Sequence, residues 1–264
     1  MPISNVNGMD FYYEIHGEGE PVVFGNGIFS NTLGWVNQLP AFSKHHQVIL
    51  YDMRGQGQSD KPEGEYTFEM HADDQMILLE NLGISKVHHV GISYGAELGL
   101  VFALKYPDAV RSLVACSAVS EIGPLLRDMC LLWRYACEVE DPEMFYRATV
   151  PLNFAEPFIS EQTEILEKAK ERYKTLDFPA LVRLLDAFLM LDITDRLSEI
   201  SVPTCIIAGE QDILKPAYPY SQLIHDRIPD SEMTIIPDSG HAVTFEQPDE
   251  FNSICLGFLR KISE

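Results

Sequence analysis

Apolar residues come along this chain in short, β-branched runs that stop at glycine or aspartate and give way to stretches with helical spacing. Six runs predict strands: PVVFGNG at 21–27, QVILYDMRG at 47–55, KVHHVGIS at 86–93, RSLVACS at 111–117, PTCIIAGEQD at 203–212 and EMTIIPDSGH at 232–241. Their hydrophobicity is continuous, the pattern of parallel strands covered on both faces. An earlier run at 9–17, MDFYYEIHG, alternates more and predicts an antiparallel edge strand. Helical patterns fill the gaps: FEMHADDQMILLENLG at 68–83 ends on a glycine stop, and GAELGLVFALKY stops before Pro107. YPYSQLIHDRIP and PDEFNSICLGFLRKI supply the last two helices.

The alternation breaks once. From 120 to 200 the patterns are helical throughout, with no strand run between them. This predicts an α/β fold: a mostly parallel sheet of about eight strands flanked by helices (1–119 and 201–264) with an all-helical cap, or lid, inserted at 120–200. Open parallel sheets bind ligands at the carboxyl edge of their strands, so the cap is expected to cover that edge. Met129, Leu132, Trp133, Phe145, Phe154, Phe158, Phe188 and Met190 are its candidate pocket residues, although the same spacing serves ordinary packing. Arg127, Arg134, Arg147 and Arg183 could meet a substrate carboxylate, or more simply pair with the cap's own acids.

Charge removes several functions from consideration. With 19 Lys and Arg against 40 Asp and Glu, the formal net charge is −21. Such a chain repels phosphate backbones and anionic membrane surfaces, so neither nucleic acid nor membrane is expected as a partner. The first residues, MPISNVNGMDFYYEIHGEG, lack the basic start and apolar core of a signal peptide, which points to a cytoplasmic protein. Five widely spread cysteines without a C-x-x-C pair fit reduced thiols better than disulfides or a zinc site. Nothing in the sequence bears on oligomeric state.

The run at 86–93 delivers Ser93 into Gly91-Ile-Ser-Tyr-Gly95, between a predicted strand and a predicted helix. A serine on such a turn is held in a strained conformation that exposes its hydroxyl, and the following N–H, of Tyr94, points at whatever the hydroxyl attacks. A hydroxyl is a weak nucleophile and needs a base, which in turn needs a group to fix its tautomer. Of eight histidines, His241 alone follows a strand end in a glycine-containing loop. Asp212 follows the preceding strand and is the first choice for the acid. Asp238, near His241 in sequence, and Asp52, at another strand end, are its rivals.

In this order, Ser93, Asp212 and His241 resemble the catalytic triad of the α/β-hydrolase superfamily. YDMRGQGQSDKP, GISYGAELGL, AGEQDILKP and SGHAVTFEQPDEFN resemble the family's loops in sequence, over about residues 10–260. The resemblance implies an oxyanion hole from the backbone N–H groups of Ile28 and Tyr94. Where many relatives have His-Gly, this chain has Asn26-Gly27; Asn26 is expected to hold the loop or face substrate, with Trp133, Phe145 and Met129 as further substrate contacts.

A serine at the elbow implies acyl chemistry, where relatives that displace halide or open epoxides use aspartate. The expected activity is that of a carboxylic ester hydrolase, an esterase or lactonase acting on a small, largely apolar molecule through an acyl-enzyme, without metal or organic cofactor. Two alternatives stand beside it. One is a carbon–carbon bond hydrolase of aromatic ring-cleavage products, although relatives of that type usually carry Trp where this chain has Ala242. The other is a non-catalytic small-molecule-binding relative.

Overall fold

The computed structural model describes residues 2–263. Eight strands form one sheet: β1 (Ile3–Val6), β2 (Met9–His16), β3 (Glu20–Gly25), β4 (His46–Tyr51), β5 (Val87–Ile92), β6 (Val110–Cys116), β7 (Thr204–Gly209) and β8 (Ser231–Ile236), in the order β1-β2-β4-β3-β5-β6-β7-β8. β1 and β2 join antiparallel, and every pairing from β4 to β8 is parallel.

The helices are α1 (Leu39–Phe42), α2 (Phe68–Asn81), α3 (Tyr94–Lys105), α4 (Pro124–Val139), α5 (Pro142–Asn153), α6 (Glu156–Glu161), α7 (Thr163–Ala169), α8 (Phe178–Leu189), α9 (Gln222–Arg227), α10 (Val243–Glu246) and α11 (Pro248–Ser263). Their starts follow capping chemistry. Thr67 accepts from the Met70 N–H to open α2, and Asp177 accepts from the Ala180 N–H to open α8.

Strand periodicity divides the core in two. Val23, Ile49, Leu113, Ala115 and Ile206 face one layer, which holds α2, α3 and the helices between β6 and β7. Their neighbours Val22, Phe24, Val48, Leu50, Val114, Cys116, Cys205 and Ile207 face the other layer, closed by Phe251, Phe258 and Leu259 of α11.

Two details differ from the sequence reading. β1 is a strand of its own, joined to β2 by an Asn7-Gly8 turn whose residues both have positive φ, +52° and +78°. The helix expected over 218–229 is α-helical only at Gln222–Arg227: Tyr218 (φ −111°, ψ 121°) and Ile228 (φ −90°, ψ 114°), each preceding a proline, are held out of the helical region. From β6 to β7 the chain forms α4 to α8 with two 3-10 turns and no strand. The two ends of this excursion meet where the Ile193 N–H donates to Ser120 O, beside a bridge between Glu121 and Asp192.

Candidate active site

Three parallel strands of the sheet, β5, β7 and β8, deliver three loops to one edge. β5 ends at Ile92 and Ser93 follows with φ +52° and ψ −126°, a conformation that costs roughly 1–3 kcal/mol for a non-glycine residue. It is fixed from both sides. The Ser93 N–H donates to Cys116 O at 2.8 Å, and Ser93 O accepts from the Ala96 and Glu97 N–H groups as α3 begins. Gly95 makes this turn possible, since a side chain there would collide with the backbone of Gly25 on β3.

β7 ends at Gly209, and the loop after it packs backbone to backbone on the loop after β8. The Gln211 N–H donates to Ser239 O at 2.8 Å, and a Cβ on Gly209 would strike the carbonyls of Ser239 and Gly240. This brings Asp212 to His241: Oδ2 lies 2.8 Å from Nδ1, with both side chains nearly or wholly buried. The other oxygen, Oδ1, accepts from the Leu214 and Lys215 N–H groups at 2.9 and 2.8 Å. Burial alone would raise the Asp212 carboxyl, but the charge and hydrogen bond of His241, with the Lys215 N–H and ammonium, hold it below the usual carboxylate range. An ionised Asp212 keeps the proton on Nδ1, so Nε2 is free to accept another.

The rival residues are occupied elsewhere. Asp52 accepts from the Thr32 and Gln58 N–H groups at 2.8 Å each, and Asp238 is exposed and meets Gln211. His71 and His89 are enclosed in the core, where burial pushes each down to about 3, and neither lines the cavity described next.

A cavity of about 600 Å³ opens over this edge, and both Ser93 and His241 line it. Its roof comes from the helices after β6, through Trp133, Tyr146, Phe154 and Phe158, and its floor includes Ile28 and Phe29. A second void of about 10 Å³ also borders Ser93, walled by Ile28, Tyr94, Leu126, Phe188 and Lys215 but not by His241. Tyr94 is the first residue of α3, so its N–H has no intrahelical partner. Ile28 sits in a turn closed by Ser30 N to Gly27 O, which leaves the Ile28 N–H unclaimed by that turn.

Three expected substrate contacts require correction. Asn26 is buried away from the cavity: its Nδ2 donates to Tyr51 O at 2.8 Å, and its Oδ1 accepts from Trp35 Nε1 at 2.7 Å. It is a bracket under the loop. Asn26→Ala is therefore expected to destabilise the fold by about 1–3 kcal/mol for each orphaned group, measured by urea unfolding; unchanged stability would refute the bracket. Phe145 is wholly buried against Phe29 and Phe178, and Met129 packs into the core. Of the other cap candidates, Trp133, Phe154 and Phe158 line the main cavity and Phe188 the small void, whereas Leu132 and Met190 face outward. The arginines are engaged apart from the cavity: Arg134 with Asp186 and Glu138, Arg147 with Glu143 and Glu167, Arg127 with Leu189 O, and Arg183 with Lys61 O.

Sequence reasoning missed Lys215 and Glu97. Lys215 Nζ lies 2.8 Å from Glu97 Oε1 and 3.1 Å from Ser93 Oγ. Among the described residues the Ser93 hydroxyl forms its side-chain hydrogen bond with this lysine, and no bond to His241 is formed. Also unforeseen is a tie between the histidine loop and the helices above it. Glu246 accepts from the Gly240 N–H at 3.0 Å and the Ala155 N–H at 2.9 Å, and the Ala242 N–H donates to Asn153 O at 2.8 Å.

Comparison with known proteins bears on the family and the fold. Residues 20–149 match the family model described as alpha/beta hydrolase fold. RutD of Azorhizobium caulinodans, named as a candidate carbamate hydrolase, is 31% identical over 267 residues, covering 100% of both chains. MGS-M2, an alpha/beta hydrolase enzyme from a Medee basin deep-sea metagenome library, superposes with a TM-score of 0.93 at 32% identity, over 98% of this chain and 97% of that one. Est816, described as an N-acyl homoserine lactone degrading enzyme, gives a TM-score of 0.84 at 30% identity, over 97% and 100% of the two chains.

Proposed function

Because the chain belongs to the alpha/beta hydrolase family, we propose that it is a serine hydrolase cleaving a carboxylic ester or lactone through an acyl-enzyme on Ser93. The observation that carries this is the 2.8 Å Asp212–His241 contact beside a strained serine, with serine and histidine both lining one cavity. No helix among the described residues is long and apolar enough to cross a membrane. The expected partner is a small molecule that enters the cavity.

In this reading the Ser93 side chain turns towards His241, and Nε2 takes its proton as Oγ attacks the carbonyl. The N–H groups of Ile28 and Tyr94 receive the oxyanion. Each such donor contributes on the order of 3 kcal/mol to the transition state. The leaving oxygen takes the proton from His241, and water then cleaves the acyl-enzyme by the same steps. The division into a core (1–119 and 201–264) and a cap (120–200) belongs to this proposal. It is supported by the meeting of the excursion's ends at Ser120 and Ile193.

Only the main cavity holds His241, so the leaving group belongs there and the acyl group points into the small void. A water-sized void favours short acyl chains. Activity on aryl acetates is expected to exceed that on aryl hexanoates by at least about tenfold in kcat/KM, roughly 1.4 kcal/mol of lost fit. Equal rates across the series would refute this assignment of the two pockets.

A carbamoyl group is as small as an acetyl group and offers the same electrophilic carbonyl, and the relatives named for carbamate hydrolysis support including it. A panel of aryl esters, lactones and carbamates, with a serine-directed fluorophosphonate alongside, tests the reading. Turnover and a phosphonate adduct on Ser93 are expected. Neither turnover nor adduct would favour a binding protein instead.

A further inference from the structure

Among the described residues the Lys215–Glu97 pair is the most deeply enclosed ion pair, with side chains 3% and 0% exposed. Glu97 stands in the first turn of α3, one turn after Ser93, and Lys215 stands three residues after Asp212. The pair thus joins the serine turn to the acid loop. Glu97 Oε1 also accepts from the Val119 N–H at 2.9 Å, which adds the segment after β6 to the same junction. The ammonium has three donors, and three groups surround it: Glu97 Oε1 at 2.8 Å, Ser93 Oγ at 3.1 Å and the Phe188 ring, its centroid 4.5 Å away.

An ion pair needed only for stability has no reason to lie against a nucleophile, and burying one commonly gives no advantage over packed apolar residues. Here one donor of the lysine is spent on Ser93 Oγ. Lys215 lines the small void, which His241 does not.

We propose that Lys215, held and neutralised by Glu97, is a further catalytic residue that hydrogen-bonds Ser93 Oγ while that atom carries negative charge. The inference rests on the serine-hydrolase reading above. In acylation His241 Nε2 removes the Oγ proton, the bond from Oγ to the carbonyl carbon forms, and the carbonyl electron pair moves to oxygen. The bond to the leaving oxygen then breaks, and that oxygen takes the proton from His241. In deacylation water attacks, and His241 takes the water proton. The C–Oγ bond breaks, its electron pair returns to Oγ, and Oγ takes the proton from His241. Lys215 keeps its own protons throughout and donates a hydrogen bond to Oγ. Such a bond strengthens when its acceptor becomes charged. An ester oxygen accepts poorly, so the gain on passing from acyl-enzyme to departing Oγ is the larger one, and deacylation depends on Lys215 more than acylation does.

Glu97 fixes the lysine and cancels its charge. The void accordingly presents a hydrogen-bond donor without net charge, and anionic acyl groups gain no attraction from it.

The test compares the native protein with Lys215→Met and with Lys215→Met/Glu97→Gln, the double variant leaving no unpaired buried charge. Folding is checked by circular dichroism and thermal melting. The expected result is a folded double variant whose kcat on an aryl acetate falls about tenfold to a hundredfold, the range for a hydrogen bond to a charged group, with KM falling alongside it and kcat/KM changed much less, as slowed deacylation requires. An initial burst and an acetyl adduct on Ser93 should appear in the variant and be weaker in the native protein. Unchanged kcat in a folded double variant overturns the proposal. So does a fall in kcat, or a loss of fold, without any accumulation of acyl-enzyme, because that marks a structural pair. Fluorophosphonate labelling of native Ser93 separates the two levels. If native Ser93 is not labelled, the hydrolase reading fails and this inference with it; if it is labelled, only the role of Lys215 is at stake.

Discussion

Ser93→Ala is expected to abolish ester hydrolysis, lowering kcat by on the order of 10⁴–10⁶-fold, while the protein stays folded. The loss is large because the nucleophile, the base and the acid act as a unit, and the oxyanion donors alone retain only a residue of the rate. Folding should survive because alanine is no worse than serine at φ +52°. The bonds that hold the turn, Ser93 N to Cys116 O and the Ala96 and Glu97 N–H groups to Ser93 O, are all made by backbone atoms. Lys215 loses one acceptor but keeps Glu97. Near-native turnover by a purified Ser93→Ala protein would remove Ser93 from the mechanism, and no adjustment of the other residues could restore it.

Asp212→Asn is expected to lower kcat by on the order of 10⁴-fold on the same substrate. Oδ1 accepts two backbone N–H groups, so the oxygen of an asparagine is held there and its amide nitrogen turns towards His241. Nδ1 must then accept, the proton moves to Nε2, and the ring can no longer take a proton from Ser93. Asp238→Asn, exposed and not hydrogen-bonded to the imidazole, should leave kcat within about twofold, since surface substitutions rarely matter. The opposite pattern would reassign the acid.

The same aspartate has a pH signature. Burial opposes its charge, yet His241 and the Lys215 N–H and ammonium together hold its carboxyl below the usual range. Its ionised form therefore adds stability at all pH values above the unfolded aspartate value of about 3.9, and that stability is lost only as pH falls through the lower folded value. In Asp212→Asn the acid limb of the stability profile should flatten accordingly.

Much of the fold was legible because parallel strands announce themselves as continuous apolar runs, and 47–51 or 204–209 can hardly be anything else. β1 was not: Ile3–Val6 is four residues long and half polar, and only its Asn7-Gly8 turn signalled a hairpin. The meeting of Asp212 with His241 could be anticipated because successive parallel strands end at one edge. Lys215 could not, since ILKP reads as an ordinary polar loop until Glu97 of another segment is placed beside it. Phe145 and Trp133 show the same limit within the cap. Helical spacing identifies an apolar face but not whether that face meets a core or a cavity, and only Trp133 reaches the cavity wall.

The clasp made by Glu246 and Ala242 has a mechanical consequence. On either side of His241, Ala242 is bonded to Asn153 directly and Gly240 is joined to Ala155 through the Glu246 carboxylate. Base and roof are therefore one rigid piece at this end, and lifting the roof here would carry the imidazole away from Ser93. Elsewhere on the cavity wall, Arg172 and Thr175 are exposed. Molecules that passed by those residues would leave His241 seated, so traffic and the proposed chemistry need not take turns.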